Sequence, residues 1–136
     1  MAIRILSVED EQSIQELVVL HLGLQGYEVK GASNGEEAIS FLENESFDIV
    51  LLDIEMPKMN GLDVLHYIKI CHIDVRPIML TGADNLQVFG ECSRLGAFDY
   101  LPKPYNFHEL MESIERVTDE RTLASGTDRS PVLTRG

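Results

Sequence analysis

Polar and charged residues stand where the short apolar runs of this chain stop. Glu9 and Asp10 follow the run 3–8, and Asp53 ends the run Ile49-Val50-Leu51-Leu52. Thr81, Gly82 and Ala83 close the run Ile78-Met79-Leu80, and Lys103 lies just beyond the run 98–101. The run before Asp53 has no polar interruption, the pattern of a central strand buried on both faces of a parallel sheet. Pro57 then prevents further pairing. If these runs are parallel strands, their ends share one rim, where open α/β sheets bind ligands. Three carboxylates gathered there would repel one another by roughly 4 kcal/mol per pair at ~4 Å and an effective dielectric near 20. Such a cluster implies a cation, and a few hard oxygen ligands open to water suit Mg2+. Lys103 adds a positive counterpart and Thr81 a hydroxyl donor. A carboxylate beside Mg2+, an ammonium and a hydroxyl can carry out phosphoryl transfer: the carboxylate attacks phosphorus while the cations hold the transferring oxygens.

The elements that must position these residues follow one pattern, strand then helix, five times over. The first helix carries Ile14, Leu17, Val18, His21 and Leu22 at helical spacing, with Gly26 to close it. Residues 27–32 alternate as a half-exposed edge strand does. Asn34 can cap the second helix, with Glu36 and Glu37 in its favourable first turn and Ala38, Ile39 and Leu42 facing inward. The central strand leads through Glu55-Met56-Pro57 to a helix with Leu62, Leu65 and Ile68. Residues 76–81 form the fourth strand. Asp84 can cap the helix of Val88, Phe89, Cys92 and Leu95, which stops at Gly96. After the short fifth strand and its break at Pro102-Lys103-Pro104, Asn106 and Glu109 have capping-box spacing. Phe107, Leu110, Met111, Ile114 and Val117 make the buried stripe of the last helix. Strands alternating with helices imply a doubly wound parallel sheet with right-handed crossovers. Residues 1–121 form one domain, and 122–136, aperiodic and rich in small polar residues, read as a disordered tail or the start of a linker.

Composition narrows the function classes. With 136 residues the chain can bury a core without staples, and 11 basic against 23 acidic residues give a net charge of −12. That balance argues against direct nucleic-acid or anionic-membrane binding by this domain. Cys71 and Cys92 have no cysteine neighbour at metal-ligand spacing and read as reduced, core-type residues on helices. His21, His66, His72 and His108 form no zinc-style pair. No signal peptide or membrane-length apolar run is evident, so a cytoplasmic location is expected.

The segments Ile5-Leu6-Ser7-Val8-Glu9-Asp10-Glu11, Ile49 through Pro57, Met79-Leu80-Thr81-Gly82-Ala83 and Gly96 through Pro104 resemble the receiver domains of two-component response regulators, among them the single-domain chemotaxis regulator. The likeness covers about residues 3–120. It implies a flavodoxin-like sheet in strand order 2-1-3-4-5 with five flanking helices. It also implies that Asp53 is the phosphoacceptor, forming 4-aspartylphosphate with a phosphoryl group from a sensor histidine kinase or phosphotransfer protein. By the same likeness Asp10 binds Mg2+ directly, Glu9 through water, and Glu55 through its backbone carbonyl. Thr81, the Gly82 N–H and Lys103 hold phosphoryl oxygens, and the bond before Pro104 is cis. Phosphorylation would draw Thr81 inward and let Tyr100 rotate, reshaping the surface of the fourth helix, fifth strand and fifth helix. That surface would meet a downstream protein or a missing output domain, and it allows a phosphorylation-dependent homodimer. Such a domain is no enzyme beyond its own phosphorylation and slow autodephosphorylation.

Glu55 places an acidic side chain beside the metal, a modest departure, and its charge with the small Ala83 is expected to tune acyl-phosphate hydrolysis. Three other readings compete. Asp53-Ile54-Glu55 mimics the acid-x-acid nucleophile of a dehalogenase-type phosphatase, although there the motif ends the first strand of a longer chain. A flavodoxin shares the architecture, but Glu9-Asp10-Glu11 would repel the phosphate its first loop must cradle. A receiver-like interaction module that is never phosphorylated would have no use for the complete residue set.

Overall fold

The computed structural model describes residues 2–82 and 86–125. Its elements alternate as β1 (Arg4–Val8), α1 (Gln12–Leu24), β2 (Glu28–Ala32), α2 (Gly35–Asn44), β3 (Ile49–Asp53), α3 (Gly61–Ile70), β4 (Arg76–Thr81), α4 (Leu86–Arg94), β5 (Asp99–Pro102) and α5 (Phe107–Ser125). The sheet is parallel throughout, in the order β2-β1-β3-β4-β5. Successive strand residues point to opposite faces, so the apolar runs feed two cores. Leu6, Val8, Val50, Leu52 and Met79 pack with residues of α2, α3 and α4 on one face. Ile5, Ile49, Leu51, Ile78, Leu80 and Leu101 pack with Leu22 of α1 and Leu110, Ile114 and Val117 of α5 on the other. All five residues of β3 are buried, Asp53 included.

Helix starts are set by local side chains. Asn34 accepts from the Glu37 N–H at 2.8 Å, and Asn60 and Asp63 form a reciprocal box at 3.0 Å each. Asn106 and Glu109 repeat that box at the start of α5. Gly26 and Gly96 take positive φ, 98° and 95°, where the chain turns out of α1 and α4. Asp99 fastens β5 to α5 by accepting from the Ser113 hydroxyl and the Arg116 guanidinium, each at 2.6 Å. Gly61 serves a different purpose. A Cβ there would lie 2.5 Å from the Asp53 carbonyl oxygen, so only glycine lets α3 begin directly against the end of β3.

Several expected details differ. Leu17 is 53% exposed and His21 lies at the surface, its ring edge-on to Phe107, because α1 turns Gln15 and Leu22 inward instead. Phe89 is 47% exposed and packs against Tyr100, outside the core that Cys92 and Leu95 enter. Cys71 is exposed where α3 ends, so of the two cysteines Cys92 alone is core-type. α5 runs to Ser125, past the expected boundary at 121, while 126–136 and the Asp84 cap lie outside the described residues. Among the described residues no helix is long and apolar enough to cross a membrane.

The Gly61 contact has a measurable consequence. Gly61→Ala is expected to lose about 1–3 kcal/mol of stability, the usual result of forcing a methyl into closed packing. Urea unfolding checks this, and an unchanged midpoint would show that the α3 start can retreat from Asp53.

Candidate functional site

Register decides which residues meet. Val8 pairs with Leu52, which brings Glu9 level with Asp53. Asp53 pairs with Leu80, so Thr81 lies one residue further along the rim, and Thr81 pairs with Pro102, so Gly82 and Lys103 leave the sheet together. The chain leaves β1 toward β2 but returns on β1's other side as β3, and the crevice between these strand ends is the topological switch point. The Lys103 N–H donates to the Thr81 carbonyl at 2.6 Å, which holds the two loops together, and the following Lys103–Pro104 bond is cis.

Asp53 is 1% exposed, and its Oδ1 accepts from the Lys103 ammonium at 2.9 Å and from the Glu55 N–H at 3.2 Å. Glu9 is 4% exposed and accepts from the Glu11 N–H at 3.1 Å, while Asp10 faces solvent. Carboxylate oxygens of Glu9, Asp10 and Asp53 all lie within 4.8 Å of one another. These are hard, anionic donors, in part open to water, and they fit a small divalent cation that keeps several waters.

The electrostatics are those of a site short of positive charge. Burial pushes the Glu9 carboxyl up to about 7, against the Glu11 amide and with Asp53 adding to the rise. Asp53 is also raised, because burial outweighs its bonds to Lys103 and the Glu55 amide. Burial alone would lower Lys103, but the Asp53 carboxylate more than offsets it and keeps the ammonium charged.

Thr81 is fully buried, yet its hydroxyl donates to Glu55 Oε2 at 2.7 Å, and the Gly82 N–H donates to Glu55 Oε1 at 2.9 Å. The side chain of Glu55, which the sequence placed beside the metal without assigning it a partner, thus takes up both donors expected to hold a phosphoryl group. Tyr100 is half-buried on β5, its ring edge-on to Phe89 of α4 with centroids 4.6 Å apart. Ala83 lies outside the described residues.

Two nearby residues went unnoticed in the sequence. Gln15 is buried, and its Nε2 donates to the carbonyls of Glu9 and Ala32 at 2.9 and 3.1 Å, clamping the acid-bearing loop to the end of β2. The only hint was a polar residue interrupting an apolar helix face. Tyr105 is half-buried, and burial, then the charge of Glu9, pushes its phenol up.

Fold and site together define a doubly wound parallel α/β domain with an acidic, lysine-bearing cluster at its switch point. A family model described as the response regulator receiver domain matches residues 5–115. The chain is 41% identical over 115 residues to a transcriptional regulatory protein CpxR homolog of Haemophilus influenzae, covering 84% of this chain and 49% of that protein. It is 34% identical over 134 residues to the response regulator MprA of a Mycobacterium species, covering 98% and 58%. The chain therefore spans about half the length of these relatives. A CheY-like receiver domain of Methanospirillum hungatei superposes with a TM-score of 0.87 at 32% identity, covering 93% of this chain and all of that one (100%). The response regulator TrrA of Thermotoga maritima, solved in complex with Mg(2+)-BeF, superposes at 0.76 with 37% identity, covering 85% and 98%. The chain belongs to the response regulator receiver-domain family of two-component systems.

The raised Glu9 carboxyl sets a pH dependence in metal-free solution. Its folded value, about 7, lies above the ordinary 4.5, so the folded state binds the proton more tightly than the unfolded chain does. The contribution of Glu9 to stability is therefore full below about 4.5 and is lost as pH rises through about 7, by an amount on the order of 1–3 kcal/mol. Asp53, raised as well, adds in the same direction. Chemical denaturation in chelator is expected to show this slope for wild type and a flatter profile for Glu9→Gln; equal slopes would remove Glu9 as its source.

Proposed function

We propose that Asp53 is the residue this receiver domain phosphorylates. The observation that carries the reading is the buried Asp53 carboxylate held at 2.9 Å by Lys103 beside two further acids. An Asp53 oxygen attacks the phosphorus of a phosphohistidine, the P–N bond breaks, and its electron pair leaves with the imidazole, giving an acyl phosphate on the carboxylate. Asp10, Asp53 and the Glu55 carbonyl would hold Mg2+, with Glu9 acting through water, and the ion would neutralise the charge gathering between carboxylate and phosphoryl oxygens. Lys103 pairs with one phosphoryl oxygen. The Thr81 hydroxyl and the Gly82 N–H are the donors for the others.

The same event supplies the signal. Engagement of Thr81 by the phosphoryl group changes the packing behind β4, and the Tyr100–Phe89 pair joins β5 to α4 where that change would reach the surface. The α4–β5–α5 face is the output surface, toward a downstream protein, an output domain or a second phosphorylated copy. Relatives named as transcriptional regulators support an output in transcription. The phosphodonor is a sensor histidine kinase or phosphotransfer protein, and the setting is the cytoplasm. The chain's own chemistry is confined to taking up the phosphoryl group and slowly losing it.

Incubation with acetyl phosphate and Mg2+, followed by intact mass, tests the reading. Wild type is expected to gain one phosphoryl group, Asp53→Asn none, and Lys103→Ala to gain it at least about 100-fold more slowly, as loss of one charge-stabilising donor does. Turnover of the donor without a stable adduct would indicate a phosphatase, and no reaction at all a binding module.

A further inference from the structure

We propose that the Glu55 carboxylate is a built-in occupant of the phosphoryl-binding donors, which an incoming phosphoryl group must displace. The inference rests on the phosphoacceptor reading above and adds a competitor that belongs to the chain itself.

The geometry is that of an internal anion. Both Glu55 oxygens are used, Oε2 by the Thr81 hydroxyl at 2.7 Å and Oε1 by the Gly82 N–H at 2.9 Å. A carboxylate on two donors copies two of the oxygens a phosphoryl group would present, with charge of the same sign and the same short, charge-assisted bonds. Glu55 is also anchored at its other end, since its own N–H donates to Asp53 Oδ1 at 3.2 Å. One residue thereby bridges the two halves of the site, amide on the acceptor side and carboxylate on the donor side. Burial opposes its ionisation, but the Gly82 amide, the Thr81 hydroxyl and Lys103 outweigh burial and hold the carboxyl below its ordinary range, so it is an anion at neutral pH.

Two consequences follow. A ligand that needs these donors meets an apparent affinity lowered by the fraction of time they are already taken. Thr81 is also already bonded to an anion before any phosphoryl group arrives, so part of the switch is engaged in the unphosphorylated chain. Phosphorylation then exchanges one anion for another on these donors, and Glu55 swings out toward solvent.

Charge alone makes a similar forecast, because an acid beside the site repels any anion. Glu55→Asp separates the two effects: it keeps the charge, but the side chain is one methylene shorter and, with its amide held by Asp53, cannot span both donors. The experiment titrates beryllofluoride, with saturating Mg2+, into the full chain and its Glu55→Asp and Glu55→Ala variants, read by 19F NMR. The Gly82 amide is followed by 15N–1H NMR before any addition. Displacement predicts that both variants bind beryllofluoride about tenfold more tightly than wild type, the factor expected when roughly nine-tenths of the competent state is freed. It also predicts that the Gly82 amide proton of the untreated chain moves upfield in both variants. Equal binding by wild type and Glu55→Asp, with tighter binding by Glu55→Ala alone, would mean repulsion only and would overturn the proposal. An unmoved Gly82 amide in Glu55→Ala would overturn it too. Failure of every chain to bind beryllofluoride would sink the phosphoacceptor reading, and this proposal with it, whatever the amide does.

Discussion

An excess of negative charge at one buried point is the constraint on which the rest of this structure depends. Asp53 closes a strand with no exposed residue, and Glu9 and Asp10 bring their oxygens to within 4.8 Å of it and of each other. Among the described residues, the positive charge bonded to Asp53 is Lys103, whose side chain is 30% exposed while that of Asp53 is only 2% exposed. Removing two charges from water in this way is costly unless each keeps a partner. The pair is therefore less a staple for the fold than a poised arrangement in which one ammonium faces several acids. Burial pushes the Glu9 and Asp53 carboxyls up, and neighbouring acids add to the rise.

The scaffold is arranged so that this shortage cannot relax. Asp53 is fixed by a strand packed on both faces, by the Glu55 amide behind its side chain, and by the start of α3 against its carbonyl, an approach only Gly61 permits. Glu9 is fixed by its own carboxylate bonding the Glu11 amide and by Gln15, which ties its carbonyl to the end of β2. Lys103 is fixed from below, where its amide bonds Thr81 and Asp99 fastens β5 to α5. A loop of acids free to move would spread apart. Here Glu9 and Asp10 leave the end of β1 and Asp53 ends its neighbour β3, and preorganised charge of this kind does not have to be reassembled at each encounter with a ligand.

On the donor side of the crevice the chain supplies its own anion. Thr81 is buried and Gly82 exposed, and the Glu55 carboxylate spans both while its amide serves Asp53. The loop after β3 thus couples acceptor and donors through a single residue. On β5, the neighbour of β4 in the sheet, the Tyr100 ring meets Phe89 edge-on and joins β5 to α4.

Much of the architecture could be read along the chain, because the information is local. Apolar runs ending in Asp53, Thr81 and Lys103, glycines at 26 and 96, and asparagines at 34 and 106 mark strand ends and helix limits by patterns of a few residues. The likeness of four short segments to receiver domains then named the family that residues 5–115 match. Other features depend on what lies across the structure. Nothing local says that Leu17 and Phe89 stay exposed at helical spacing, that Cys71 faces water, or that α5 continues to Ser125. Gln15 resembles a flaw in an apolar face until the carbonyls of Glu9 and Ala32, 6 and 17 residues away, are placed around it. Glu55 is the sharpest case. Its amide bond to Asp53 spans two residues and lies within the reach of sequence reasoning, but its carboxylate bonds to Gly82 27 residues away and to Thr81 26 away. Those partners are set by the register between β3 and β4, and a hydrogen bond depends on distance in space, which no spacing along the chain encodes.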